Sequence, residues 1–363
     1  MLSLPDFPWD ALAPYREQAE RHPGGLVDLS IGSPVDGTPL VAKEALSDAA
    51  NAPSYPLTSG SPGLNDAMRQ WWERRRHTGP LSAGQVLPTI GSKEMVGLLP
   101  TLLGLRTGDT VVIPSVAYPT YAVGAAVVGA TVVAEDDPQK WPKAASLVWI
   151  NSPSNPTGAV LRREYLSEAV TRARKIGAVL VSDECYAELG WETDVVPSLL
   201  DQDVTAGNLS GLIALYSLSK QSNLAGYRAG LMAGDETLVQ SLLLARKHLG
   251  LIMPAPIQAA VASVLLDDVH VSSQRELYSQ RRQVVFGALR SAGFQIDHSE
   301  AGLYAWVTRG EDCWATVEWF AERGVLVAPG VFYGEAGSHH VRVALTASDE
   351  ACDSFAQRLA ETG

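Results

Sequence analysis

Seven short, continuously apolar runs constrain this chain more than any other feature. They are VLPTI (86–90), TVVIP (110–114), TVVA (131–134), LVWI (147–150), AVLVS (178–182), LIALY (212–216) and AGLMAG (229–234). Continuous rather than alternating apolar character marks strands covered on both faces, as in parallel sheets. Helical stretches beginning near Ser92 and Thr120 and spanning about 162–175 separate several of the runs. The pattern predicts an α/β fold with a mainly parallel, doubly wound sheet.

From about residue 255 the pattern changes to long helical segments at 257–269 and 274–289. Strand-like LYAWV (303–307), VLVA (325–328) and VRVAL (341–345) follow, with a last helix at about 348–360. The expectation is a large domain over 40–275 and a smaller α+β domain from 1–39 with 276–363. A chain of 363 residues has material for about two domains.

Residues 110–134 contain no charge and are long enough for a bilayer. However, Pro114 and Pro119 break the stretch, Gly124 and Gly129 punctuate it, and acidic residues flank it. It reads as strand, loop, helix, strand. A net charge of −12 argues against nucleic-acid and anionic-membrane partners, which call for a basic face. Cys185, Cys313 and Cys352 lie far apart without a CxxC pair, so neither a disulfide framework nor a zinc site is signalled. His339 and His340 likewise lack a metal-ligand pattern. With no signal-peptide character in MLSLPDFPWD, a cytoplasmic location is expected.

In parallel sheets, ligands bind beyond the carboxyl ends of the strands. LVWI leads into NSPSNPTG (151–158), AVLVS into DECY (183–186) and LIALY into SLSK (217–220). Three strand ends thus deliver Asn155, Asp183 with Tyr186, and Ser217, Ser219 and Lys220 to one crevice. Singly, each has an ordinary explanation: Asn forms turns, Asp caps helices and Lys is solvated. Their joint arrival at successive strand ends marks a site. Gly91 and Ser92 open a helix directly after a strand, where free N–H groups and the helix dipole suit a phosphate, at about 0.3–2 kcal/mol per interaction. Ser217, Ser219 and Arg228 can add hydroxyl and guanidinium contacts to the same anion. A lysine between a phosphate site and an aspartate points to pyridoxal phosphate. Its aldehyde bonds a lysine amine, its phosphate needs an anion cradle and its pyridinium nitrogen needs a carboxylate.

With these motifs the sequence resembles the class I/II aminotransferases of the fold-type I pyridoxal phosphate enzymes. The resemblance covers most of the chain through YPLTSG (55–60), GSKE (91–94), YPTY (118–121), NSPSNPTG, DECY, the SLSK-x5-GYR stretch, PG (329–330) and RVAL (342–345). It implies that Lys220 bonds the cofactor and then moves the substrate proton. It implies that Asp183 holds the pyridine nitrogen protonated, that Asn155 and Tyr186 hydrogen-bond the phenolic oxygen, and that Tyr118 stacks on the ring. The phosphate would be held by Ser92, Lys93, Ser217, Ser219 and Arg228. Arg342, otherwise readable as half of a structural salt bridge, would clamp the substrate α-carboxylate with help from backbone near Gly32 and from Asn155. Tyr55 would reach the neighbouring subunit's site, which implies a homodimer.

A finer resemblance, to the actinobacterial N-succinyldiaminopimelate aminotransferases, rests on LPDFPWD (4–10), VDLSIGSPVDGTP (27–39) and SYPLTSGSPGL (54–64). It implies exchange of an amino group between glutamate and N-succinyl-2-amino-6-oxopimelate in lysine and diaminopimelate biosynthesis. A general aspartate, alanine or aromatic aminotransferase shares every cofactor residue, and a C–S β-lyase shares most. A pyridoxal phosphate-binding regulator would need a DNA-binding segment for which no room is expected before residue 30. WWERRRHTG (71–79) reads as a helix with one packed and one solvated face, and Cys185 as a packing residue pointing away from the site.

Overall fold

In the computed structural model, which describes residues 4–193 and 195–361, all seven apolar runs become strands of one sheet. Its order is Val86–Ile90, Ala229–Gly234, Leu212–Ser217, Val179–Asp183, Ala145–Asn151, Thr110–Ile113 and Thr131–Ala134. The last five pair in parallel. Ala229–Gly234, expected among the parallel strands, instead runs antiparallel to both neighbours. The reason is the length of its connection. Only residues 218–228 separate it from Leu212–Ser217, and a parallel return needs a crossover of about a dozen or more.

Segment 110–134 folds as expected: strand Thr110–Ile113, helix Thr120–Val127, strand Thr131–Ala134. Among the described residues no helix is long and apolar enough to cross a membrane. A four-stranded antiparallel sheet is built from Ala328–Pro329, Val341–Ala344, Tyr304–Thr308 and Gln295–Asp297. The early strand Val27–Asp28 pairs in parallel with Val325–Leu326, which attaches the chain's beginning to its C-terminal part.

The apolar residues fall into separate clusters. One joins Leu12, Val27 and Leu29 to Phe286, Phe320, Val343 and Phe355, while two others pack on the faces of the large sheet. Helix Val269–Ser291 runs unbroken through position 275. Strand alternation then decides what faces the site. Val341 and Val343, Ala305 and Val307 enter the first cluster, so their neighbours Arg342, Tyr304 and Trp306 point to the opposite face.

Helix Pro62–Arg76 buries Trp71 and Trp72 as expected. Its last residue departs from the predicted solvated face. Arg76 is buried and donates to Glu184 Oε2 from Nε at 3.2 Å and Nη2 at 2.9 Å, and to the Val196 carbonyl at 3.1 Å.

Candidate active site

Lys220 lies on a four-residue helix, Leu218–Gln221, at the mouth of the fully buried strand Leu212–Ser217. Ser217 caps that helix by accepting from the Ser219 N–H at 3.2 Å, which fixes the lysine's exit direction. The ammonium donates to the carbonyl of Gly32, and among the described residues no carboxylate forms an ion pair with it.

Asp183 ends the neighbouring strand. Its Oδ2 accepts from the Tyr121 hydroxyl at 2.9 Å and its Oδ1 from the Cys185 N–H at 3.2 Å. Burial raises its pKa above the usual aspartate value, outweighing the hydrogen bonds from Cys185 and Tyr121. Burial also pushes Tyr121 well above the ordinary tyrosine value, so this phenol remains a donor. Cys185 does not point away. Its sulfur lies 3.1 Å from Ser92 Oγ and it hydrogen-bonds Asp183, because the turn after Asp183 folds residue 185 back over the carboxylate.

Gly91 takes φ +73°, and a Cβ there would lie 2.5 Å from Arg228 Nη2. Helix Ser92–Leu102 follows with no side chain capping its first N–H groups. Gly230, opposite Ser217 in the sheet, backs directly onto Gly91 and the Ser92 nitrogen. The helix N-terminus, the Ser217 and Ser219 hydroxyls (2.9 Å apart) and the Arg228 guanidinium are therefore neighbours, an arrangement suited to a dianion. Lys93 lies in the same first turn, but its ammonium sits 6.0 Å from the Tyr118 ring centroid and 5.9 Å from that of Phe7.

Arg342 is 3% exposed. Nη1 donates to Asn155 Oδ1 at 2.9 Å and Nη2 to the Ser30 carbonyl at 2.7 Å, while Nε has no partner. The guanidinium carbon stands 4.0 Å from the Tyr304 ring centroid. Among the described residues no carboxylate answers its charge, so the structural salt bridge is absent. A chain of contacts closes the site. The Asn155 N–H donates to Asn151 Oδ1 at 2.7 Å, and Asn151 Nδ2 donates to the Asp183 carbonyl at 2.8 Å. On the other side, the Tyr304 and Tyr186 hydroxyls are 2.9 Å apart, and a Cβ on Gly32 would overlap the Tyr304 hydroxyl.

The single chain thus brings together every predicted site residue except Tyr55, which is 97% exposed. Sequence reasoning missed Tyr121, Asn151 and Tyr304. YPTY places Tyr121 one helical turn after Tyr118, a spacing that would have offered it as a neighbour. Asn151 directly follows LVWI and carried the same strand-end signal as Asp183, whereas Tyr304 carried no comparable signal.

Among the described residues, a buried carboxylate without a cation, a lysine without an anion and an uncapped helix N-terminus flanked by an arginine suit one ligand bearing a basic ring nitrogen, a carbonyl and a phosphate. A buried cation beside them suits a second, anionic ligand. Fold and donor set together define an aminotransferase of the pyridoxal phosphate type. Residues 25–359 match the family "Aminotransferase class I and II", and the chain belongs to it; pyridoxal phosphate is the cofactor of this family. It is 51% identical to the 4-dedimethylamino-4-oxo-anhydrotetracycline transaminase of Streptomyces rimosus, over 99% of this chain and 100% of that one. It is 50% identical to a probable aminotransferase of Mycobacterium tuberculosis, over 98% and 85% respectively. Among solved structures, a probable N-succinyldiaminopimelate aminotransferase of Thermus thermophilus superimposes with a TM-score of 0.88 at 28% identity, covering 98% of this chain and 100% of that one.

Proposed function

We propose that this aminotransferase interconverts N-succinyl-2-amino-6-oxopimelate plus glutamate with N-succinyl-LL-2,6-diaminopimelate plus 2-oxoglutarate, in diaminopimelate and lysine biosynthesis. The observation that carries the reading is Arg342, a buried guanidinium whose hydrogen-bond partners among the described residues are a carbonyl and an amide oxygen. Every substrate in this exchange brings it a carboxylate. These substrates carry further carboxylates, which call for donors beyond Arg342. The Lys93 ammonium, assigned to the phosphate below, lies beside the Tyr118 and Phe7 rings. Phe7 belongs to the LPDFPWD segment on which the finer resemblance rests.

In this reading Lys220 bonds the cofactor and then carries the proton from the substrate α-carbon. Asp183 keeps the ring nitrogen protonated, helped by donors on both oxygens. Asn155 and Tyr186 present hydrogen bonds to the phenolic oxygen, Tyr118 covers the ring, and Ser92, Lys93, Ser217, Ser219 and Arg228 hold the phosphate. Bound there, pyridoxal phosphate supplies the electron sink for removal of the α-proton. Gly32 and Asn155 flank the carboxylate that Arg342 takes. Residues 40–275 form the cofactor-binding domain and 1–39 with 276–363 the smaller one, a division supported by the separate apolar clusters. A homodimer places Tyr55 at the partner site, supported by exposure of Tyr55, Leu57 and Leu40. The enzyme works in the cytoplasm.

A second reading, amination of an oxo group on a tetracycline precursor, is favoured by the 51% identity to the Streptomyces rimosus transaminase. The test is a substrate panel on purified holoenzyme: N-succinyl-LL-diaminopimelate, N-acetylornithine, aspartate, cystathionine and the oxo-anhydrotetracycline. Turnover several-fold higher with the first supports the proposal, and no activity with it sinks the proposal.

A further inference from the structure

We propose that Tyr304 is a positioning residue of the transamination site, acting on Arg342 through its ring and on Tyr186 through its hydroxyl. It rests on the placement of Tyr186 at the cofactor's phenolic oxygen proposed above. Tyr304 opens the strand Tyr304–Thr308, which pairs antiparallel with the strand that carries Arg342, and it is 4% exposed. Its ring face lies under the Arg342 guanidinium, 4.0 Å from centroid to carbon. This cation–π contact holds the fork flat while Asn155 and Ser30 hold its ends.

The hydroxyl does separate work. A phenol has one proton to give and oxygen lone pairs to receive with. When Tyr304 donates across the 2.9 Å gap to Tyr186, the Tyr186 proton is left free for another acceptor. When Tyr304 accepts instead, that proton is consumed. A donating Tyr304 therefore makes Tyr186 available to the phenolic oxygen, and hydrogen bonds in such a chain strengthen one another.

The groups acting on Tyr304 come from several elements. Burial disfavours its ionised form, but the charges of Arg342 and Lys220 and the Tyr186 hydrogen bond outweigh burial and lower its pKa, with Cys185 opposing. Tyr333 and Tyr278 also lie within its electrostatic reach. Tyr186, by contrast, is held well above the ordinary tyrosine value, by burial first and by Tyr304 next. Gly32 fits the same plan. Any side chain at residue 32 would overlap the Tyr304 hydroxyl, so the glycine clears the space that the phenol occupies.

The experiment is a double-mutant cycle of Tyr304→Phe, Tyr186→Phe and both together, with Tyr304→Leu as a fourth variant. Each is purified with pyridoxal phosphate bound, and two quantities are read: the pH midpoint of the bound cofactor's visible absorbance, and kcat and KM for glutamate. A donor to the phenolic oxygen weakens its hold on the proton shared with the Lys220 nitrogen, so losing Tyr186 raises the midpoint, and losing the Tyr304 bond that polarises the Tyr186 hydroxyl raises it by a smaller amount. Tyr304→Phe should raise it by about 0.2–0.3 pH unit and lower kcat about twofold, with KM within about threefold because the ring under Arg342 remains. Tyr304→Leu should in addition raise KM about tenfold. In the Tyr186→Phe background, Tyr304→Phe should add no midpoint shift, which is the signature of action through Tyr186. An unchanged midpoint in Tyr304→Phe when Tyr186→Phe shifts it overturns the Tyr304 proposal alone. Full additivity of the two shifts overturns it as well. An unchanged midpoint in Tyr186→Phe removes the Tyr186 placement and this inference with it.

Discussion

The ion pair between Arg76 and Glu184 offers a demanding prediction, because it lies under the site without belonging to it. The two side chains are 3% and 0% exposed and meet at 2.9 Å. Arg76→Met removes the cation but keeps much of the apolar volume, leaving a buried carboxylate without its counter-charge. Breaking such a pair costs about 3–5 kcal/mol. Glu184 retains two other donors, Ser198 Oγ at 3.0 Å and the Leu199 N–H at 2.8 Å, so the lower end of that range applies. For 363 residues, an unfolding entropy of about 2.1 cal/mol/K per residue converts about 3 kcal/mol to a fall of about 4 °C in Tm. Thermal unfolding of the holoenzyme, followed by circular dichroism, measures it. Adding Glu184→Gln to Arg76→Met removes the stranded charge and should recover more than half of the loss. The charge of Glu184 already raises the pKa of Asp183, so Arg76→Met should also weaken cofactor binding. A fall below about 1 °C, or no recovery in the double variant, would refute the reasoning.

Lys220→Ala should lack the visible absorbance of lysine-bound cofactor and show no turnover; full transaminase activity in this variant would falsify the central assignment. Asp183→Asn should lower kcat by about 10²–10³-fold in single-turnover assays with glutamate. Tyr121→Phe keeps the stack on Trp149, 4.9 Å between centroids, but removes one donor to a carboxylate. A charged hydrogen bond of about 1.5–3 kcal/mol sets the expected loss of cofactor affinity at about tenfold or more, measured by equilibrium dialysis. Arg342→Lys loses the planar fork, and the KM for glutamate should rise about a hundredfold while the cofactor spectrum stays unchanged.

What the sequence made legible follows from locality. The seven strands were readable because a strand buried on both faces leaves a contiguous apolar run, and Asp183, Asn155 and Lys220 because each lies within five residues of the end of one. The reversed direction of Ala229–Gly234 was less visible, since apolarity does not encode direction and only the short connection does. Arg76 was hidden in an RRR run on a helix whose other arginines are more exposed. Its partner lies 108 positions away. Tyr304 escaped notice for a similar reason, since it acts through a contact 118 residues away. Asn151 stood at a strand end, but its partner, the Asp183 carbonyl, lies 32 positions on. Cys185 was misread because neighbours in a strand alternate sides, whereas the chain after Asp183 has already left the strand and turned.

The unanswered charge of Arg342 has a consequence for discrimination. A molecule whose reacting carbon carries no anion would shut out water and still leave the guanidinium without a counter-ion. Rejection of simple amines by this enzyme then follows from an electrostatic debt that they cannot settle, and it needs no steric barrier to keep them out.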